Sequence, residues 1–83
     1  MIDTELRAML AAILEAEEQP LIEWQQVDAL CDDVLRRITL EPVPDYPFDI
    51  VMHFLDDADV RRKDQGYATV QRDRLRAWLN TSR

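Results

Sequence analysis

Apolar side chains in the first half of this chain return every three to four residues, and that spacing leaves little besides α-helix open to it. Leu6, Met9, Leu10, Ile13 and Leu14 follow the i, i+3, i+4, i+7, i+8 pattern of an amphipathic helix. Ala8, Ala11, Ala12 and Ala16 between them raise helix propensity. Trp24, Val27, Leu30, Cys31, Val34, Leu35 and Ile38 repeat the pattern, with Asp28, Asp32 and Asp33 mainly on the opposite face. The chain has one glycine, Gly66, so the tight turns that join short strands are scarce. The fold class expected is all-α.

Punctuation sets the element boundaries. Asp3 or Thr4 is placed to cap the first helix. Glu15, Glu17 and Glu18 oppose the helix dipole at its other end, so fraying is expected near Gln19. Pro20 suits the first turn of a second helix, and Arg36 and Arg37 complement the dipole at that helix's end. Pro42, Pro44 and Pro47 make residues 39–47 a stiff, polyproline-like connection.

Pro47 then opens a third helix, with Asp45 or Tyr46 at its cap. Between residues 48 and 55 only Asp49 and His53 are polar. Phe48, Ile50, Met52 and Phe54 also alternate as a strand would, but a lone strand has no partner for its backbone groups, so helix is expected. Asp56-Asp57-Ala58-Asp59 ends this element or caps a short turn through Arg61-Arg62-Lys63, and Gly66 marks a break. Asp64 caps a last helix from about residue 65 to Leu79 or Asn80, with Tyr67, Gln71, Arg74, Leu75, Trp78 and Leu79 on one face. The expectation is one domain over residues 1–83, packed as a small bundle of about four helices with a Pro-rich loop between helices 2 and 3.

With 47% hydrophobic and 33% charged residues, the chain has material for one core and a solvated exterior. Cys31, the one cysteine, lies between Leu30 and the apolar Val34 and reads as a small core thiol in a reducing compartment. The first residues carry no basic segment, and the apolar run from Ala8 to Leu14 is too short to span a bilayer. The location expected is the cytoplasm.

Charge is split along the chain. Residues 1–59 carry fifteen acidic and three basic side chains, a balance of −12. Residues 60–83 carry two acids and seven bases, a balance of +5. Arg61, Arg62, Lys63, Arg72, Arg74 and Arg76 form a positive patch, yet the chain as a whole stands at −7 and repels phosphate. It also lacks a glycine-rich helix-turn-helix connection and an aromatic platform for single strands. No nucleic-acid partner is expected. The basic last helix is expected to pack on the acidic second and third elements.

Three chemical constellations can be weighed. Asp49, His53, Asp56 and Asp57 share a helix face at spacings of four, seven and eight, which would suit a divalent metal or a general base. The plainer reading is a solvated stripe, since the chain has one histidine and no second nitrogen or sulfur ligand nearby. Asp56-Asp57-Ala58-Asp59 fails as a calcium loop. Position six would be Arg61 or Arg62, where the EF-hand has glycine, and position twelve Tyr67 or Ala68, where it has glutamate.

Glu15 and Glu18, in an ExxE spacing, resemble the magnesium-binding carboxylates of all-α nucleotide pyrophosphatases. That resemblance implies a metal-dependent hydrolase using helices 1 and 2, although Asp28-x-x-x-Asp32 stands where the family has ExxD and no lysine follows.

No catalytic residue, metal or cofactor is expected. The function expected is that of a small acidic, non-enzymatic binding module recognising a basic protein. The contact set proposed is Asp32, Asp33, Asp45, Tyr46, Asp49, Asp56, Asp57 and Asp59, the carboxylates steering encounter and Tyr46 supplying contact area. In length, acidity and helical content the chain is similar to bacterial immunity proteins that block nuclease toxins, which implies an inhibitor or adaptor role. A metal-dependent hydrolase and a self-associating helical subunit are the alternatives.

Overall fold

The structure is a computed structural model that describes residues 1–81. Among these residues all regular structure is helical, in five segments: α1 (Asp3–Glu17), α2 (Trp24–Leu40), α3 (Phe48–Asp56), α4 (Ala58–Lys63) and α5 (Gln65–Leu79). No helix among the described residues is long and apolar enough to cross a membrane. The chain divides into two compact units, Met1–Tyr46 and Pro47–Arg83.

In the first unit α1 and α2 pack on each other. Arg37 lies 3.5 Å from Glu5, and the amino group of Met1 lies 3.2 Å from the Glu41 carboxylate, so the start of α1 meets the end of α2 and the two run antiparallel. The predicted stripes are the buried ones: Leu6, Leu10, Ile13 and Leu14 on α1, and Val27, Cys31 and Val34 on α2. Trp24, Leu30, Leu35 and Ile38 are half-buried at the margins of that stripe. Val43 is the buried residue of the connection that follows.

Two boundaries in this unit differ from expectation. Asp3 does not cap α1: Ile2 holds the cap position, and Asp3 sits in the first turn accepting from Arg7 Nε at 2.7 Å. A carboxylate there still faces the positive end of the dipole, so the charge is favourable although the cap is absent. Pro20 is not in the first turn of α2, which starts at Trp24 after Glu23. None of residues 20–23 is fully buried, and Leu21 is 77% exposed, so a turn begun at Pro20 would gain little from packing. Beyond α1, Gln19 Nε2 donates to the Glu15 carbonyl at 3.1 Å and satisfies one of the helix's terminal acceptors.

Residues 41–47 lie outside the helices, and Asp45 there has φ 56, in the left-handed region that aspartate tolerates better than most residues. Asp45 and Tyr46 do not cap α3. Pro47 occupies that position, and its carbonyl accepts from Val51 N at 3.0 Å.

The second unit contains α3, α4 and α5, each packed against the other two. Residues 48–56 are helical, so the strand alternative fails. The segment expected as a turn through Arg61-Arg62-Lys63 is the helix α4, which raises the helix count to five. Its last turn carries three bases, Arg61, Arg62 and Lys63, and its first turn carries Asp59, both favourable to its dipole.

Asp64 caps α5 as expected, accepting from Tyr67 N at 3.0 Å. Gly66 lies inside the first turn of α5 and is not a break; Asp64 performs that role. The core of this unit is Val51, Phe54, Leu55, Ala58, Ala68 and Leu75, together with two polar residues, Arg61 and Gln71.

Candidate functional site

The apolar stripe of α3 does not stop where the helix does. Val51, Phe54, Leu55 and Ala58 occupy successive inward positions, and the next inward position is Arg61, which is 0% exposed. Its guanidinium lies over the Phe54 ring, 3.8 Å from the centroid. Nη1 donates to the Phe54 carbonyl and to Gln71 Oε1, the latter at 2.8 Å. The Phe54 carbonyl is one of the terminal acceptors of α3, so a side chain from α4 satisfies what the end of the helix leaves open. Arg61 therefore belongs to the core and not to the positive surface patch expected of it.

The network continues outward from Gln71. Its Nε2 donates to Asp57 Oδ2 at 3.0 Å and to the Tyr67 hydroxyl oxygen at 3.1 Å. Tyr67 in turn donates its hydroxyl hydrogen to Asp57 Oδ2 at 2.6 Å. That bond is the main reason the Tyr67 phenol titrates above its ordinary value of 10.0; desolvation and the charge on Asp57 add to it, and Arg61 and Arg74 oppose it. Asp57 closes α3, opens α4 and ties both to α5.

The eight residues proposed for partner contact fall on both units. In the first unit Asp32 is exposed on α2, Asp33 is half-buried beside it, Asp45 is exposed in the connection and Tyr46 is half-buried. Burial pushes the Tyr46 phenol above its ordinary value. In the second unit Asp49 is exposed in the first turn of α3, Asp56 is exposed at its last residue, and Asp59 is exposed in the first turn of α4. Asp57 differs from the other carboxylates, because it is half-buried and accepts two hydrogen bonds from α5.

The stripe Asp49-His53-Asp56-Asp57 is divided. Asp49 and His53 line a pocket between α3 and α5, whereas Asp56 is exposed and Asp57 belongs to the Tyr67–Gln71 network. On α1, Glu15 is exposed at the end of the helix and Glu18 is exposed just beyond it; Asp28 and Asp32 are exposed on α2. Glu17, between the first two, is buried at 2% exposure, a placement its acidic neighbourhood does not suggest. Among the described residues no group of three or more His, Cys, Asp or Glu side chains is placed to hold a metal ion.

The unit boundary keeps the charge asymmetry but softens it. Residues 1–46 carry eleven acids and three bases, a balance of −8; residues 47–83 carry six acids and seven bases, a balance of +1. In the first unit eight carboxylates are exposed, and Arg36 is the one exposed base. Arg7 is half-buried and paired with Asp3, and Arg37 with Glu5. The chain matches no protein-family model, no curated protein and no solved structure.

Proposed function

We propose that this chain is a non-enzymatic binding module that recognises a basic protein through an acidic surface, as an inhibitor, an immunity-type protein or an adaptor does. The observation that carries the reading is the surface of residues 1–46, with eight exposed carboxylates against one exposed base. Exposed charge of one sign raises the encounter rate with a partner of the other sign and suppresses encounters with like-charged ones. Asp32 and Asp45 supply part of that field, and Tyr46, half-buried between Pro44 and Pro47, offers aromatic area with little side-chain freedom to lose.

In the second unit Asp49, Asp56 and Asp59 are exposed and carry charge of the same sign. Asp57 is a poorer contact because its hydrogen bonds hold α3, α4 and α5 together. We place this activity in the cytoplasm, with Cys31 buried as a reduced thiol.

The test compares the wild-type chain with an Asp32→Lys, Asp45→Lys variant as baits in pull-downs from the native host, read by mass spectrometry at low and high salt. The expected result is a strongly basic protein that the wild type captures, that salt elutes and that the charge-reversed bait fails to capture. Capture that resists salt and is equal for both baits overturns the reading.

A further inference from the structure

A pocket of about 250 Å³ lies between α3 and α5, lined by Asp49, Ile50 and His53 from one helix and Tyr67, Val70, Gln71 and Arg74 from the other. We infer that it is a binding site for a small zwitterion, specifically an α-amino acid with an apolar side chain, its ammonium at Asp49 and its carboxylate at Arg74.

Three observations lead there, none of which depends on the protein-binding role proposed above. The first is which polar groups are free. Gln71 donates to Asp57 and Tyr67 and accepts from Arg61, and Tyr67 donates to Asp57, so these two form a fixed wall. The side chains of Asp49, His53 and Arg74 make no hydrogen bond or ion pair with the other described residues. Their capacity is open to a ligand.

The second is sign. A simple anion would meet Asp49, and a simple cation would meet Arg74. A molecule with one charge of each sign is attracted to both. Guanidinium suits a carboxylate because its fork offers two parallel N–H donors, and a carboxylate such as Asp49 accepts from an ammonium. The third is size and lining. Drug-sized ligands occupy pockets of roughly 300–1,000 Å³, so this one admits something smaller. Ile50 and Val70, one from each helix, give the pocket an apolar surface for a short aliphatic side chain.

The experiment titrates L-leucine, N-acetyl-L-leucine and L-leucinamide into the ¹⁵N-labelled chain and follows amide shifts of residues 49–53 and 67–74. Leucine should give saturable shifts confined to those residues. Each derivative lacks one charge and should bind at least about tenfold more weakly, as expected for losing one charge-assisted contact. Asp49→Asn should abolish the preference for leucine over its N-acetyl form, and Arg74→Gln the preference over the amide. Both side chains are exposed and unpaired, so the variants should keep the wild-type spectrum elsewhere. The proposal is overturned by unsaturable or absent shifts with leucine, by equal binding of all three probes, or by variants that bind leucine as the wild type does.

Discussion

Removing the Arg61 side chain should unfold the second unit's core more effectively than any other single change to its charged residues. The cost follows from what the guanidinium holds. Arg61→Ala leaves two buried acceptors, the Phe54 carbonyl and Gln71 Oε1, without their donor. An orphaned buried acceptor costs about 1–3 kcal/mol, so two cost roughly 2–6. Loss of the cation lying 3.8 Å over the Phe54 ring removes about 1–2 kcal/mol more. Relaxation, water entry and the desolvation cost of the guanidinium, which the variant no longer bears, will offset part of this. At roughly 0.05–0.15 kcal/mol per residue, a chain of this length holds about 4–12 kcal/mol in total, so the loss is a large fraction of it.

The assay is urea unfolding followed by Trp78 fluorescence in a Trp24→Phe background, which reports on the second unit, with far-ultraviolet circular dichroism alongside. Arg61→Lys keeps the charge but loses the planar fork and should fall between wild type and alanine. Arg62→Ala, one residue away and exposed, is the control and should stay within about 0.5 kcal/mol of wild type. Combining Arg61→Met with Gln71→Leu removes donor and acceptor together, so the double variant should be less destabilised than the sum of its parts. The reasoning fails if Arg61→Ala costs no more than Arg62→Ala, or if the two substitutions add without coupling.

Three further outcomes follow from local geometry. Gly66→Ala should stabilise the chain by about 0.5 kcal/mol, up to about 1, in a thermal melt, because a Cβ there meets only Asp64 Oδ1, at 3.5 Å, and the helix gains propensity. Asp64→Ala removes the one side-chain cap among the described helices that receives a backbone N–H, and should cost about 1 kcal/mol in urea unfolding. Tyr67 should ionise later than a free phenol in an ultraviolet pH titration, with Tyr67→Phe identifying its step. Its folded value is raised and the ionised form is the disfavoured one, so the stability linked to it is complete below pH 10 and declines as pH rises from there through the folded value. The fall in stability above pH 10 should therefore be shallower in Tyr67→Phe than in wild type.

The sequence made the helical content legible where apolar spacing was regular, and misled where a polar residue took an apolar position. The stripes of α1 and α2 were readable because Leu6, Leu10, Ile13, Val27, Cys31 and Val34 lie on single faces, and these are the residues buried at 2% exposure or less. Arg61 was not readable as core by residue type, since arginine is almost always at the surface. It was readable by position: 51, 54, 55, 58 and 61 continue one inward stripe across the helix break. The boundary at Pro20 was missed because proline's fit to a first turn is only a permission, and burial decides where the helix starts. Tyr67 and Gln71 were placed on the correct face of α5, but their joint hold on Asp57 depends on α3 and α4 meeting there, which no spacing within α5 encodes.

The charge split first visible along the sequence thus separates into two physical roles. In residues 47–81 part of the charge serves the fold: Arg61 and Asp57 are engaged by core and wall residues, and Asp64 caps α5, while Asp49, Asp56 and Asp59 stay exposed. In residues 1–46 most of it is left outside, with salt bridges to Asp3, Glu5 and Glu41 engaging only part of the acidic excess. Such surface pairs are worth about 0–1 kcal/mol each, so the folding of this unit gains little from its carboxylates, and their mutual repulsion works against it. Neutralising Glu15 and Asp32 together, as glutamine and asparagine, should accordingly leave the first unit as stable or more stable at low salt, and the difference should vanish at high salt as screening removes the repulsion. A loss of stability on neutralisation would mean that these groups serve the fold, and the argument that they are kept for an external partner would no longer hold.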